Sequence, residues 1–362
     1  MSTEKRNILL YFQAHQPLRL RNYFFLNDEN NTIGEDLRSC LFDNYLNKEI
    51  LGRVSTNCYK PFFEMLSQFK SPLNLNFSIT GELFDQLIKD HHEVIGLIKK
   101  AQKKHSFDFL LETYHHSLSS LYSPKEFSYQ LNRHRDLMER VFDYTPTTFR
   151  NTELIYHNDL LNMIKDQGVS KILTEGPNWL PANPESAFKH PTDSGFIFTR
   201  DGKLSDIVGF QFEDKASHLY PLTAEKYLDE IKRSSKKNII LGWDLETFGE
   251  HYNGNPKTLK FLKDFIELIQ ADSNLKLSTF NDLPLEEKNL PVLSLESPIS
   301  WADKEKDLSA WRDNDLQKLA LEEAYELEDA FDFPLGVESR KCWRKLLNSD
   351  HFYYMSLKKG AD

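Results

Sequence analysis

The chain contains only three cysteines among its 362 residues, which argues against a disulfide-stabilised protein. Cys40, Cys58 and Cys342 lie far apart in the sequence and lack the close spacing of metal-binding cysteine motifs. An odd and sparse set of thiols is typical of a reducing compartment, because small secreted domains usually pair their cysteines. The cysteine content therefore predicts a cytoplasmic protein.

Long hydrophobic runs are also missing. The first apolar run, from Ile8 to Phe12, is followed closely by His15. A secretory signal needs roughly 7–15 apolar residues before a cleavage site of small residues, and a membrane-spanning helix needs about 20. The sequence shows neither pattern, so we expect a soluble protein with no membrane partner.

Clustered positive charge is missing as well. The 45 lysines and arginines are outnumbered by 55 acidic residues, which gives a net charge of −10. Such a surface repels the phosphate backbone of nucleic acids, and no basic patch with interleaved aromatic residues offsets it. The charge pattern therefore argues against a nucleic-acid partner, and it leaves the oligomeric state open.

The first two-thirds of the chain alternates short apolar segments with amphipathic helical segments. This alternation is typical of parallel strands joined by crossover helices. About seven such units predict an α/β fold, an incomplete (β/α)7 TIM-like barrel followed by a C-terminal helical region. The candidate strands are Ile8–Ala14, Leu73–Ile79, Phe107–Leu111, Thr147–Asn151, Lys171–Thr174, Asp206–Phe212 and Asn238–Trp243.

Acidic residues or histidines follow six of these predicted strands. The carboxyl ends of parallel barrel strands converge on one face, where active sites lie. A purely structural barrel does not need such residues there, so the pattern indicates a functional site. In chain order, the residues at these ends are His15, Glu82, Glu112, His115, His116, Glu153, Glu175, Asp244 and Glu246.

Three prolines, Pro284, Pro291 and Pro298, mark a change in the character of the sequence. Beyond them, the pattern is charged and helical in period over 303–329, and a second helix is expected at Glu338–Leu347. We therefore expect two parts. Residues 1–290 form the catalytic barrel, and residues 291–362 form a helical cap that contributes to the active site.

Three acids are the best candidates for cleavage of a glycosidic bond. This reaction needs one carboxyl group at the anomeric carbon and a second one that protonates the leaving oxygen. Glu153 lies close to Arg150, whose charge would favour an ionised carboxylate. Asp244 and Glu246 are two residues apart and share one face of an extended backbone, so their proximity raises the pKa of one of them. That one is suited to be a general acid near neutral pH.

The histidines support a rival hypothesis. The possible ligands of a zinc hydrolase or sugar deacetylase are His15, His115, His116, His251, His351, Asp244 and Asp350. The sequence has no HExxH motif and no tight cluster beyond His115 and His116. We therefore expect no metal and no cofactor, and expect several of these histidines to bind sugar hydroxyls.

Several ordered motifs resemble those of glycoside hydrolase family 57, in particular its α-amylase-like branch. The resemblance extends over nearly the whole chain, and the order of the motifs makes it specific. The segments that carry it are His15–Pro17, Glu112–Leu118, Phe149–Glu153, Asp244–Gly249, Trp301–Trp311 and Ser349–Tyr354.

The resemblance implies a metal-free, retaining mechanism on the α-1,4-glucosidic bonds of starch- or glycogen-type α-glucans. It puts the nucleophile on Glu153 and the general acid/base on Asp244. The residues that it suggests for the sugar subsites are His15, His116, Trp243, Glu246, Asp350, His351 and Tyr353.

Two alternatives share the same expected ligand, an α-glucan polysaccharide or maltooligosaccharide. If a sugar hydroxyl intercepts the glycosyl-enzyme intermediate instead of water, the enzyme is a 4-α-glucanotransferase, and the sequence barely separates the two activities. A non-catalytic glycan-binding protein is disfavoured because both Glu153 and Asp244 are present.

Overall fold

A computed structural model describes residues 5–21, 41–180, 183–191, 195–330 and 337–358. Within these ranges, every helix is too short or too polar to span a lipid bilayer. Cys58 and Cys342 are buried thiols, whereas Cys40 lies outside the described residues.

Short strands alternate with helices along most of the chain. The strands are β1 (Arg6–Ala14), β2 (Asn74–Ile79), β3 (Ser106–Phe109), β4 (Thr148–Arg150), β5 (Lys171–Gly176), β6 (Ala187–Lys189), β7 (Phe196–Asp201), β8 (Asn238–Asp244) and β9 (Leu275–Leu277). The helices are α1 (Asn44–Val54), α2 (Lys60–Gln68), α3 (Gly81–Asp90), α4 (His92–Gln102), α5 (Ser119–Tyr122), α6 (Pro124–Phe142), α7 (Leu160–Ile164), α8 (Gly202–Gly209), α9 (Ala224–Arg233), α10 (His251–Gly254), α11 (Pro256–Ala271), α12 (Ser309–Arg312), α13 (Asp315–Ala330), α14 (Val337–Leu346) and α15 (Ser349–Tyr353).

The strands form two sheets rather than one closed barrel. In the first sheet β3, β2, β1 and β8 lie in this order, β9 pairs with the start of β1, and all pairs are parallel. In the second sheet the order is β4, β5, β7 and β6, and the β6–β7 pair is antiparallel. The predicted α/β class is confirmed, but a closed ring of hydrogen-bonded strands is absent from the described residues.

Isolated contacts join the two sheets where a ladder is missing. One parallel bridge links Leu111, just after β3, to Phe149 in β4. Between β7 and β8, the Arg200 side chain donates a 3.0 Å hydrogen bond from Nε to the Gly242 carbonyl. The strands β3 and β4 are only four and three residues long, so there is little backbone for a continuous ladder.

Strand β1 lies between two apolar layers, because its alternate buried residues pack into different clusters. Ile8, Leu10 and Phe12 pack in the cluster beneath the surrounding helices. Leu9 and Tyr11 instead face a second cluster, which includes residues of both sheets. A strand that is buried on both faces reads as a continuous apolar run, which is why the sequence predicted it correctly.

One predicted strand is wrong. The sequence predicted a strand at Asp206–Phe212, but helix α8 covers most of this segment. The Asp201 side chain caps the helix by accepting a 3.0 Å hydrogen bond from the Leu204 amide. Leu204 and Val208, four residues apart, are both buried on one face of the helix. The strand in this region is β7, which precedes the cap.

The C-terminal region is helical, as predicted, and packs against the ends of the strands. Its apolar residues form a cluster around Trp311 and Trp343 that also contains Leu118 and Ile155 from the first part of the chain. Backbone bridges pair Tyr156 with Ile299 and Ser117 with Asn348. These contacts bring residues beyond position 290 next to the side chains that follow β3 and β4.

Candidate active site

A cleft of about 1410 Å³ opens at the carboxyl ends of the strands. Eight of the nine sequence-predicted site residues line it, and His351 does not. The eight are His15, His116, Glu153, Trp243, Asp244, Glu246, Asp350 and Tyr353. The tertiary structure therefore gathers residues from five separate parts of the chain around one space.

Glu153 occupies an unusual backbone conformation in the short 3-10 turn after β4. Its φ of 57° lies in the left-handed region, which costs a non-glycine residue on the order of 1 kcal/mol or more. Two donors hold this conformation by binding the Glu153 carbonyl, namely the Trp301 amide and the Ser300 hydroxyl, each at 3.1 Å. Strained residues of this kind cluster at functional sites.

The Glu153 carboxylate receives one hydrogen bond on each oxygen. His116 Nε2 lies 2.8 Å from Oε1, and the Trp301 indole N–H donates to Oε2 at 2.7 Å. Burial opposes ionisation of this carboxyl group, but the hydrogen bond and the charge of His116 outweigh it. The pKa of Glu153 is therefore below its ordinary value.

His116 owes its charge to acids on both sides of the ring. Nε2 faces Glu153, and Nδ1 lies 3.9 Å from Oε2 of the fully buried Glu112. Burial disfavours the charged ring, yet these two carboxylates raise the pKa of His116 to about 9. Glu112 is itself paired with the buried Arg150 at 3.2 Å. The pairing partner of Arg150 is thus Glu112 and not Glu153.

His15 stacks on His116, with ring centroids 4.1 Å apart and an interplanar angle of 22°. Its Nδ1 lies 2.8 Å from the Thr80 hydroxyl, and its Nε2 lies 3.6 Å from Asp350. Burial and the neighbouring charge of His116 both lower the pKa of His15. In this stack, a neutral imidazole therefore lies against a charged one.

A group of potential metal ligands exists within this cluster. In the described parts of the chain, one ligand atom each from His15, His116 and Asp350 lie within 4.8 Å of one another. A metal would have to compete with the existing contacts, because His116 Nε2 already bonds Glu153. A protonated imidazole cannot coordinate a metal, so the raised pKa of His116 also opposes binding.

Asp244 and Glu246 occupy different environments. Asp244 ends β8 and is half-buried at the cleft, where burial raises its pKa and the charge of Glu153 adds to the effect. Glu246 is buried, and its Oε1 accepts hydrogen bonds from the Tyr59 hydroxyl and the His15 amide. Burial and the charge of Asp244 raise the pKa of Glu246 to about 8.

The aromatic residues that were expected to stack on sugar differ in their access to the cleft. Trp243 is only 3% exposed, and its indole N–H donates to the Ser205 carbonyl at 2.7 Å. Most of its ring therefore belongs to the core. Tyr353 is half-buried, and its hydroxyl lies 3.3 Å from Asp303.

His351 lies beneath the site. Its ring nitrogens lie 2.8 Å from the Leu18 carbonyl and 3.2 Å from the Leu346 carbonyl. These contacts fasten helix α15 to the segment after β1. In this arrangement, the neighbouring Asp350 reaches the cleft and His351 supports it.

Sequence reasoning assigned no role to Trp301, which makes two direct contacts with Glu153. The only available signal was its position at the start of the family-like segment Trp301–Trp311. Its neighbours were also missed. Arg200 lies 5.5 Å from the Trp301 ring and pairs with Glu175, and Lys306 donates to the Trp301 carbonyl at 2.8 Å.

Comparison with known proteins identifies the family of this chain. The sequence profile of "Glycosyl hydrolase family 57" matches residues 9–293. A curated relative from Methanocaldococcus jannaschii, named "Putative alpha-amylase", is 32% identical over 98% of this chain and 78% of its own length.

Solved structures share the fold at low sequence identity. A GH57-type branching enzyme from Pyrococcus horikoshii has a TM-score of 0.72 at 13% identity, over 97% of this chain and 85% of its own. A 4-alpha-glucanotransferase from Thermococcus litoralis has a TM-score of 0.64 at 15% identity, over 90% of this chain. The match spans 47% of the glucanotransferase chain. From the family profile and the curated relative, we conclude that this chain belongs to glycosyl hydrolase family 57 and is a glycoside hydrolase.

Proposed function

We propose that the protein is a retaining, α-amylase-like hydrolase of α-1,4-glucosidic bonds in starch- or glycogen-type α-glucans. The observation that carries this proposal is the opposite setting of two carboxyl groups in one cleft. The pKa of Glu153 is lowered and the pKa of Asp244 is raised. The carboxyl group with the lowered pKa is suited to be the nucleophile, and the one with the raised pKa is suited to be the general acid.

In the first proposed step, a Glu153 carboxylate oxygen attacks the anomeric carbon. The bond from that carbon to the glycosidic oxygen breaks, and Asp244 gives its proton to the departing oxygen. The hydrogen bonds from His116 and Trp301 keep Glu153 ionised and oriented before the attack. Burial raises the pKa of Asp244, which favours its role as the proton donor.

In the second step, Asp244 is ionised and removes a proton from a water molecule. The water oxygen bonds to the anomeric carbon, the ester bond to Glu153 breaks, and the original configuration is restored. Asp244 is better placed than Glu246 for both transfers, because it is half-buried at the cleft while Glu246 is buried. Oε1 of Glu246 is also engaged by Tyr59. We assign Glu246 to substrate binding, together with His15 and Asp350.

We further propose that residues 291–362 act as a cap that completes the site of a barrel formed by residues 1–290. Trp301 supplies a donor to Glu153, and Asp350 reaches His15 from helix α15. A barrel without these residues would lose one of the two donors that hold the nucleophile.

The second candidate function is that of a 4-α-glucanotransferase. The observation that favours it is the fold similarity to such an enzyme. Both activities use the same covalent intermediate and differ in whether water or a sugar hydroxyl attacks it. Incubation with maltoheptaose followed by sizing of the products separates them. Hydrolysis gives only shorter chains, while transfer gives longer ones, and formation of longer chains as the main products would contradict our assignment.

A further inference from the structure

Two exposed aromatic rings lie at the cleft. Among the described large hydrophobic side chains that are clearly exposed, Phe210 and Tyr354 are the ones that line it. Phe210 is 76% exposed, far more than the other aromatic residues of the cleft. Single exposed aromatic residues are ordinary on protein surfaces. Phe210 differs from most of them because it combines this high exposure with a place in the lining of the cleft that contains Glu153 and Asp244.

The backbone that carries Phe210 is firmly attached to the catalytic strand. Phe210 follows helix α8, and its amide donates to the Asp206 carbonyl at 2.9 Å. From the same helix, the Ser205 hydroxyl accepts from the Gly242 amide at 3.1 Å, and the Ser205 carbonyl accepts from the Trp243 indole at 2.7 Å. Gly242 and Trp243 immediately precede Asp244 in β8. The backbone position of Phe210 is therefore tied to that of the proposed acid/base.

The size and lining of the cleft favour a ligand longer than one sugar. Small-molecule pockets are typically about 300–1,000 Å³, whereas this cleft measures about 1410 Å³. The residues beside Phe210 in the lining, such as Asp206 and Gln211, are polar and can bind hydroxyl groups. An apolar ring with polar neighbours suits a pyranose, whose C–H face is apolar and whose edge carries hydroxyls.

We propose that Phe210 is the stacking surface of an outer glucose subsite and that it sets the preference of the enzyme for long α-glucans. This inference rests on the proposed α-glucan activity and adds the element that determines chain length. In this proposal, a short chain fills only the subsites around Glu153 and Asp244 and leaves the ring uncovered. A longer chain covers it and gains binding energy from the apolar contact.

The test compares maltotriose with maltoheptaose for the wild type and Phe210→Ala. We expect Phe210→Ala to lower kcat/KM for maltoheptaose about tenfold and to change it less than about twofold for maltotriose. Phe210→Tyr should restore the preference because it restores the ring. Tyr45→Ala is the matched control, since Tyr45 is 81% exposed and does not line the cleft.

Equilibrium binding of maltoheptaose to Glu153→Gln proteins, with and without Phe210→Ala, separates this proposal from the proposed function. Weaker binding with Phe210→Ala supports the subsite even if the wild type transfers glucan instead of hydrolysing it. If the wild type binds and cleaves maltoheptaose and Phe210→Ala behaves identically, the subsite proposal is wrong and the proposed function stands. If the wild type neither binds nor cleaves it, both are wrong.

Discussion

The indole N–H of Trp301 donates a 2.7 Å hydrogen bond to Oε2 of Glu153, a residue 148 positions earlier in the chain. The backbone amide of Trp301 also binds the Glu153 carbonyl at 3.1 Å. One residue of the C-terminal region thus holds both the carboxylate and the left-handed backbone of the proposed nucleophile. Lys306 and Arg200 fix Trp301 in turn, through its carbonyl and beside its ring.

Replacing Trp301 should therefore impair Glu153 without removing it. Trp301→Phe deletes the indole donor, and a hydrogen bond to a charged group is worth about 1.5–3 kcal/mol. We expect kcat to fall about ten- to a hundredfold. The acid limb of the kcat/KM profile should move to higher pH, because Glu153 loses a donor that favours its ionised form.

Trp311→Phe is the matched control for this change. Trp311 also lines the cleft, and its buried indole nitrogen has no hydrogen-bond partner among the described residues. Its replacement removes a similar volume without removing a bond to a carboxylate. Equal kinetic losses and equal pH profiles in the two variants would contradict the role of Trp301.

The roles of the two carboxylates can be separated by azide rescue. Glu153→Ala should nearly abolish turnover, and azide should enter from the vacated side and give the inverted β-glycosyl azide. Asp244→Ala should largely spare the glycosylation step with aryl α-glucosides that carry acidic phenols, because such leaving groups need little protonation. With azide, this variant should give the retained α-azide, since Glu153 still forms the intermediate.

The configuration of the azide products is determined by NMR. Swapped anomers would mean that the roles of Glu153 and Asp244 are reversed. If mutation of either residue leaves turnover on amylose unchanged, the whole assignment of the site is wrong.

The buried Glu246 should make stability depend on pH. Burial and the charge of Asp244 raise its pKa to about 8, against roughly 4.3 in an unfolded chain. The folded state therefore holds this proton more tightly than the unfolded state. The resulting stabilisation is fully present below about pH 4 and is lost as the pH rises through about 8.

Glu246→Gln removes this titration and keeps an acceptor for Tyr59. Denaturant unfolding at pH 5 and pH 8.5 should show that the wild type loses stability relative to Glu246→Gln at the higher pH, by on the order of a few kcal/mol. Glu250→Gln is the control, because its carboxylate pairs with the exposed Arg53 at 2.7 Å. A difference between wild type and Glu246→Gln that is the same at both pH values would argue against a protonated Glu246.

Activity should survive removal of divalent cations. His15, His116 and Asp350 lie close enough to bind one, but His116 is engaged by Glu153 and its pKa is about 9. Its ring is therefore protonated near neutral pH and is unable to coordinate a metal. Dialysis against EDTA, followed by assay on amylose and elemental analysis, checks this. Loss of activity that zinc restores would instead favour the metal-dependent hydrolase.

Local sequence signals identified much of the fold and most of the candidate site residues that line the cleft. Five of the seven predicted barrel strands correspond closely to β1, β2, β4, β5 and β8. A predicted strand at Phe107–Leu111 corresponds to the shorter β3, and Asp206–Phe212 is largely helical. That last segment is apolar enough for either state, and the Asp201 cap decided in favour of a helix. The division of the strands into two sheets could not be predicted, because it depends on contacts between distant residues, such as that of Arg200 with Gly242.

By itself, the sequence determined which chemical groups follow the strands, because apolar runs and the residues after them are local features. The tertiary structure decided what each group can do. Glu153 and Glu246 are the same amino acid at the ends of two strands, yet the pKa of one is lowered and that of the other is raised to about 8. His116 and Trp301 bind the first, while the second is buried beside Asp244. The charge of a carboxyl group depends on its burial and its neighbours, and here those neighbours come from distant parts of the chain.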